Sequence, residues 1–131
     1  MNVRCLIVDD SRRFLDAARG LLERQGLTVV GEAATGAEAL RLAAELRPDV
    51  TLVDIDLSGE SGFEVARQLS QQAATTAART ILISTHAEED YADLIAASPA
   101  IGFLSKSDLS GGAIRALLGS QGDRDPSAPV T

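Results

Sequence analysis

Three aspartates, a serine and a lysine have the types and spacing to do chemistry together. Asp9-Asp10 follows the apolar run Leu6-Ile7-Val8, Asp54 follows Val50-Thr51-Leu52-Val53, and Ser84 follows Ile81-Leu82-Ile83. Lys106 is the one lysine in a chain that otherwise uses eleven arginines. Crowded carboxylates repel one another, so such a cluster needs a cation or pKa values pushed upward. Mg²⁺, a hard octahedral cation, prefers carboxylate, carbonyl, water and phosphate oxygens. With the repulsion cancelled, an aspartate can attack phosphorus and form an aspartyl-phosphate. A lysine point charge and a serine hydroxyl would then hold the transferring oxygens. Singly each residue has a plainer reading: Asp10 or Ser84 as a helix cap, Asp54 as a turn residue, Lys106 as a solvated side chain. The chemical reading depends on their meeting in one place.

The elements that must bring them together are legible from hydrophobic spacing. Short apolar runs predict strands over 4–8, 27–33, 50–53, 80–84 and 101–104. Between them lie helical patterns. Phe14, Ala18, Leu21 and Leu22 form one stripe, with Asp10 or Ser11 as cap and Gly26 as stop. Thr35 and Glu38 have capping-box spacing for a helix to about Leu46, which Pro48 stops. After a turn over 58–62, Phe63, Ala66 and Leu69 share a helix face, and 71–79 reads as a loose connection. Further helices are expected over 88–97 and 108–118, with Gly111 and Gly112 weakening the start of the last. Strands alternating with helices imply a doubly wound, five-stranded parallel sheet of the flavodoxin-like type, covered on both faces. In that architecture ligands bind at the carboxyl ends of the strands, where Asp9, Asp10, Asp54, Ser84 and Lys106 all fall.

Length and composition agree. A chain of 131 residues, 45% of them hydrophobic, supports one domain with a real core. The expected division is a domain over 1–118 and a disordered Gly, Ser, Asp and Pro tail over 119–131. A net charge of −7 without a basic stripe argues against direct nucleic-acid binding. No apolar run is long enough for a membrane span, and the early acids do not suit a signal peptide, so a cytoplasmic location is expected. Cys5 has no partner for a disulfide and reads as a small buried hydrophobe.

In order, interval and strand position, Asp9-Asp10, Asp54 within Leu-Val-Asp-Ile-Asp-Leu-Ser-Gly, Ser84 and Lys106 resemble the residue set of bacterial two-component response-regulator receiver domains. The intervals are 44 residues from Asp10 to Asp54, 30 on to Ser84 and 22 on to Lys106. The resemblance covers about residues 3–118 and is nearest in style to receivers of LuxR-type transcription regulators. It implies that Asp54 is the phosphoryl acceptor, served by a histidine kinase or phosphotransfer protein. It implies Mg²⁺ bound by Asp10 and Asp54, by Asp9 through water and by the Asp56 backbone carbonyl. Ser84 and Lys106 then hold the phosphoryl group, and Ser84 with Phe103, where the family often has tyrosine, forms the switch pair. Asp56 and His86 flank the approach to the phosphoryl group and are expected to tune its lifetime. The face of the fourth helix, fifth strand and fifth helix, with Tyr91, Leu94 and Ile95, is the expected place for partners or a homodimer.

Two positions depart from the family pattern: Ser58 stands where proline is usual, and Ser107 where proline often follows the lysine. Asp54-Ile55-Asp56 also resembles the first motif of haloacid-dehalogenase-type phosphatases. Those enzymes place their acidic pair last, whereas here it comes first, so the order rejects that reading. A flavodoxin is rejected because clustered acids would repel a flavin phosphate. The expected output is a stand-alone, non-enzymatic signalling domain; the alternative is the receiver fragment of a DNA-binding regulator.

Overall fold

The computed structural model describes residues 2–72 and 79–123. Its elements are β1 (Arg4–Val8), α1 (Arg12–Arg24), β2 (Thr28–Ala33), α2 (Gly36–Leu46), β3 (Val50–Asp54), the two-residue strands β4 (Asp56–Leu57) and β5 (Glu60–Ser61), α3 (Gly62–Gln72), β6 (Arg79–Ser84), α4 (Ala92–Ala97), β7 (Gly102–Ser105) and α5 (Gly111–Asp123). The main sheet has five strands in the order β2-β1-β3-β6-β7, with every neighbouring pair parallel. This is the doubly wound, flavodoxin-like α/β fold, and its strand order reverses between β1 and β3.

Strand alternation sends side chains to two cores. Cys5, Ile7, Leu52, Ile81 and Ile83 pack with Leu15, Ala18 and Leu22 of α1 and Ile114 of α5. Leu6, Val8, Val53 and Leu82 pack on the opposite face with Ala39 of α2 and Val65, Ala66 and Leu69 of α3. Because both faces are covered, β3 is buried along its whole length and delivers Asp54 at its end.

Caps set the helix starts. The Ser11 hydroxyl accepts from Phe14 N at 3.2 Å, and Thr35 Oγ1 accepts from Glu38 N at 3.2 Å. Glu38 reaches back to Ala34 N at 2.8 Å, which closes the capping box that the sequence predicts.

Three elements differ from expectation. The turn over 58–62 contains an antiparallel ladder, Asp56 with Ser61 and Leu57 with Glu60, pinned by the buried Leu57. The helix expected over 88–97 is a 3₁₀ turn at Glu88–Tyr91 followed by only six α-helical residues. Neither piece has a capping side chain or a buried residue, so tertiary packing does little to extend it. The last helix begins at Gly111 rather than at 108, after a 3₁₀ turn at Lys106–Asp108, because Ser110 caps it, accepting from Ala113 N at 3.0 Å. It runs on to Asp123, past the tail boundary expected at 119, carried by Leu117 and Leu118 against the core. The rest of that tail, 124–131, lies outside the described residues, as do 73–78 of the expected loose connection.

Candidate functional site

The carboxyl ends of β1, β3 and β7 converge. One oxygen from each of Asp9, Asp10 and Asp54 can be chosen so that all three lie within 4.8 Å of one another. Asp9 is fully buried and Asp54 is 6% exposed, while Asp10 faces solvent.

Each carboxylate is oriented by a nearby donor. Asp9 Oδ1 accepts from Ser11 N at 2.8 Å, which also turns the chain into α1. Asp54 Oδ1 accepts from Asp56 N at 3.0 Å. Asp10 Oδ2 accepts from both Ser58 N, at 2.9 Å, and the Ser58 hydroxyl.

Lys106 joins two of the three. Its Nζ donates to Asp54 Oδ2 at 3.1 Å and stands 2.6 Å from Asp9 Oδ2. The latter contact is an ion pair at an angle that leaves Asp9 Oδ2 without a hydrogen-bond donor. The ammonium also sits 4.3 Å from the centre of the Phe14 ring, a cation–π contact from α1.

Burial pushes the Asp54 carboxyl up, and the Asp9 charge adds to this, against the lowering by Asp56 N–H and Lys106. Burial works against the Lys106 charge, but the close ion pair with Asp9 and the hydrogen bond to Asp54 outweigh it and raise the ammonium pKa. Asp10 is held down, first by the Ser58 hydroxyl. One ammonium among three carboxylates leaves net negative charge, and a buried oxygen lacks a donor. That donor set, all hard oxygens, fits a cation such as Mg²⁺. The Asp56 carboxylate is exposed and stands outside the clustered trio.

Ser84 lies at the end of β6, beside β3, and is 1% exposed. Its hydroxyl accepts from His86 N at 2.9 Å and lies 3.4 Å from His86 Nδ1, so the loop after β6 holds it. The His86 ring meets Tyr91 edge-on at 5.9 Å. Phe103 is buried in the core on the α2–α3 side. The Lys106–Ser107 peptide, like every other among the described residues, is trans.

Sequence reasoning missed two members of this neighbourhood. Phe14 reads only as part of the α1 stripe, and its place under Lys106 depends on how α1 stands against β7. The role of Ser58 toward Asp10 could have been sought from its departure from proline, since a proline has no N–H to donate.

Residues 5–114 match the family model described as the response regulator receiver domain. The chain belongs to that family. This receiver domain is 33% identical over 105 residues to the uncharacterized transcriptional regulatory protein YvfU of Bacillus subtilis (strain 168), a match covering 79% of the chain and 52% of YvfU. It is 38% identical over 86 residues to protein PilH of Pseudomonas aeruginosa, covering 66% of the chain and 70% of PilH. The crystal structure of a LuxR-family two-component response regulator from Aurantimonas sp. SI85-9A1 matches with a TM-score of 0.80 at 30% identity. That match covers 95% of this chain and 88% of the other. The receiver domain thus spans about half the length of YvfU. Phosphorylation on aspartate is general to the family, which serves two-component signalling. Among the described residues, no helix is long and apolar enough to cross a membrane.

Proposed function

We propose that Asp54 accepts a phosphoryl group from a histidine kinase or phosphotransfer protein in a Mg²⁺-dependent reaction, and that the domain thereby switches its protein contacts. One observation carries this reading: the buried Asp54 carboxylate sits in a cluster with Asp9 and Asp10, with Lys106 reaching both Asp54 and Asp9. Asp9, Asp10, Asp54 and the Asp56 carbonyl are the residues to hold the ion. Bound Mg²⁺ would supply charge neutralisation for carboxylate and phosphoryl oxygens together.

The chain's own groups do the rest. The Asp56 N–H fixes the rotation of the Asp54 carboxylate. Lys106 gives up a carboxylate oxygen and takes a phosphoryl oxygen in its place. The Ser84 hydroxyl leaves its contact with His86 N to do the same, and Phe103 follows as the switch aromatic. The Asp56 side chain and His86 border this path and set the lifetime of the phospho-form. The domain acts as a signalling module, assisting its own phosphorylation and hydrolysis without other catalysis.

The output runs through protein contacts, with the α4–β7–α5 face as the surface; Leu94 there is 54% exposed. The match to about half of YvfU, a transcriptional regulatory protein, supports a second reading, in which the receiver is attached to a DNA-binding domain. Incubation with Mg²⁺ and acetyl phosphate should add one acid-labile phosphoryl group, read by intact mass. Asp54→Asn and removal of Mg²⁺ should each abolish it; unchanged labelling of Asp54→Asn would refute the assignment.

A further inference from the structure

The 56–61 hairpin turns through Ser58-Gly59, with Gly59 at φ +76°, the left-handed conformation that the third position of a type II turn takes. The second position of such a turn favours proline, whose ring already has the required φ. Ser58 occupies it, gives up that preorganisation, and presents two donors instead. Both go to one atom, Asp10 Oδ2: the backbone N–H at 2.9 Å and the side-chain hydroxyl.

Of the clustered trio, Asp10 alone is exposed, and the other two are fixed by burial and by Lys106. Without the hairpin its carboxylate would rotate in solvent. The hairpin itself is anchored at both ends. Leu57 is buried in the core, and Glu60 Oε1 accepts from Gly36 N at 2.6 Å at the start of α2.

We propose that Ser58 is a positioning residue for the cation site: it commits Asp10 Oδ2 to the hairpin and turns the carboxylate so that the other oxygen serves the metal. The inference rests on the Mg²⁺-binding reading above. Outer partners that orient a metal-bound carboxylate typically govern affinity by about 10- to 100-fold. Ser58 therefore stands apart from Lys106 and Ser84, which act on the phosphoryl group, because its effect falls on metal affinity.

The test is calorimetric titration of the full chain with MgCl₂, without phosphodonor, for the wild type and for Ser58→Thr, Ser58→Ala and Ser58→Pro. Ser58→Ala removes the hydroxyl, Ser58→Pro removes both donors, and Ser58→Thr keeps both. The expected order of affinity is wild type and Ser58→Thr together, Ser58→Ala weaker, and Ser58→Pro weaker again by about 10-fold or more relative to wild type. Metal-free melting establishes that each variant is folded. Wild-type affinity in Ser58→Pro, or tighter binding in Ser58→Ala, would overturn the positioning role while leaving the phosphoryl-accepting reading intact. A wild type that binds no Mg²⁺ would overturn both.

Discussion

Gly62→Ala tests how closely α3 is pressed against the strand that carries Asp54. A Cβ at Gly62 would lie 2.0 Å from Asp54 O, 2.6 Å from Ile55 Cα and 2.7 Å from Asp54 C. All three are backbone atoms, so no side-chain rotation relieves the clash. Gly62 N also donates to Ile55 O at 2.9 Å, which resists sliding the helix away. Alanine's higher helix propensity offsets up to about 1 kcal/mol. Overpacking costs about 1–3 kcal/mol when neighbours can adjust, and here the adjustment must come from β3 itself. With the cost at the upper end of that range, the expected net loss is about 2 kcal/mol, a large share of the roughly 5–15 kcal/mol that holds a domain together. For a chain of this size that lowers Tm by about 5–10 °C, read by circular dichroism. The Asp54 carboxylate moves with its backbone, so phosphorylation by acetyl phosphate should slow by about 10-fold or more in the folded protein. Gly119→Ala is the control: nothing lies within 4 Å of its Cβ, so the substitution should be neutral or stabilising by up to about 1 kcal/mol. A Gly62→Ala protein within about 0.5 kcal/mol of wild type, the range of an ordinary surface change, would refute the reasoning.

In EDTA, Asp54→Asn should raise Tm, because it removes a desolvated charge facing Asp9 while Lys106 keeps Asp9 as a partner; a lowered Tm would mean the Lys106–Asp54 pair stabilises more than the repulsion costs. Glu32 accepts from Arg19 and Arg12, which with burial opposing hold its carboxyl below the ordinary value of 4.5. A depressed folded pKa stabilises above the unfolded value and is lost as pH falls through the folded one. Glu32→Gln should therefore cost about 0.5–1 kcal/mol at pH 7, and the gap in urea melts should close as pH falls below the ordinary glutamate range. Burial pushes the Cys5 thiol up to about 12, so a disulfide reagent at pH 8 should fail to titrate it until denaturant is added; prompt native-state reaction would contradict its buried place in the core.

What the sequence revealed, and what it hid, follows from range. Asp9, Asp10 and Asp54 were legible because each ends an apolar run, and parallel strands deliver their ends to one edge. Lys106 was legible by its rarity and its place after the last strand. The fold followed from alternation, and the capping box at Thr35 and Glu38 needed only local spacing. The helix expected over 88–97 came out short because neither its 3₁₀ turn nor α4 has a capping side chain or a buried residue to extend it, which apolar spacing alone does not reveal. The start of α5 lies later than the expected 108 because residues 106–108 form a 3₁₀ turn and Ser110 supplies the cap. The Ser84–His86 contact depends on the path of a loop, and the Phe14–Lys106 contact on two elements far apart in the chain. Neither leaves a periodic trace.

The placement of the sole lysine has a practical consequence. Acylating and carbamylating reagents that seek an ε-amine find one in this protein, at a position 14% exposed and ion-paired to two carboxylates. Such reagents attack the neutral amine, which the raised Lys106 pKa makes scarce. Labelling at Lys106, read by peptide mapping apart from the more reactive α-amine, is therefore a gauge of its ion pairs, slow while they are intact and faster when they are broken. The eleven arginines elsewhere contribute no background.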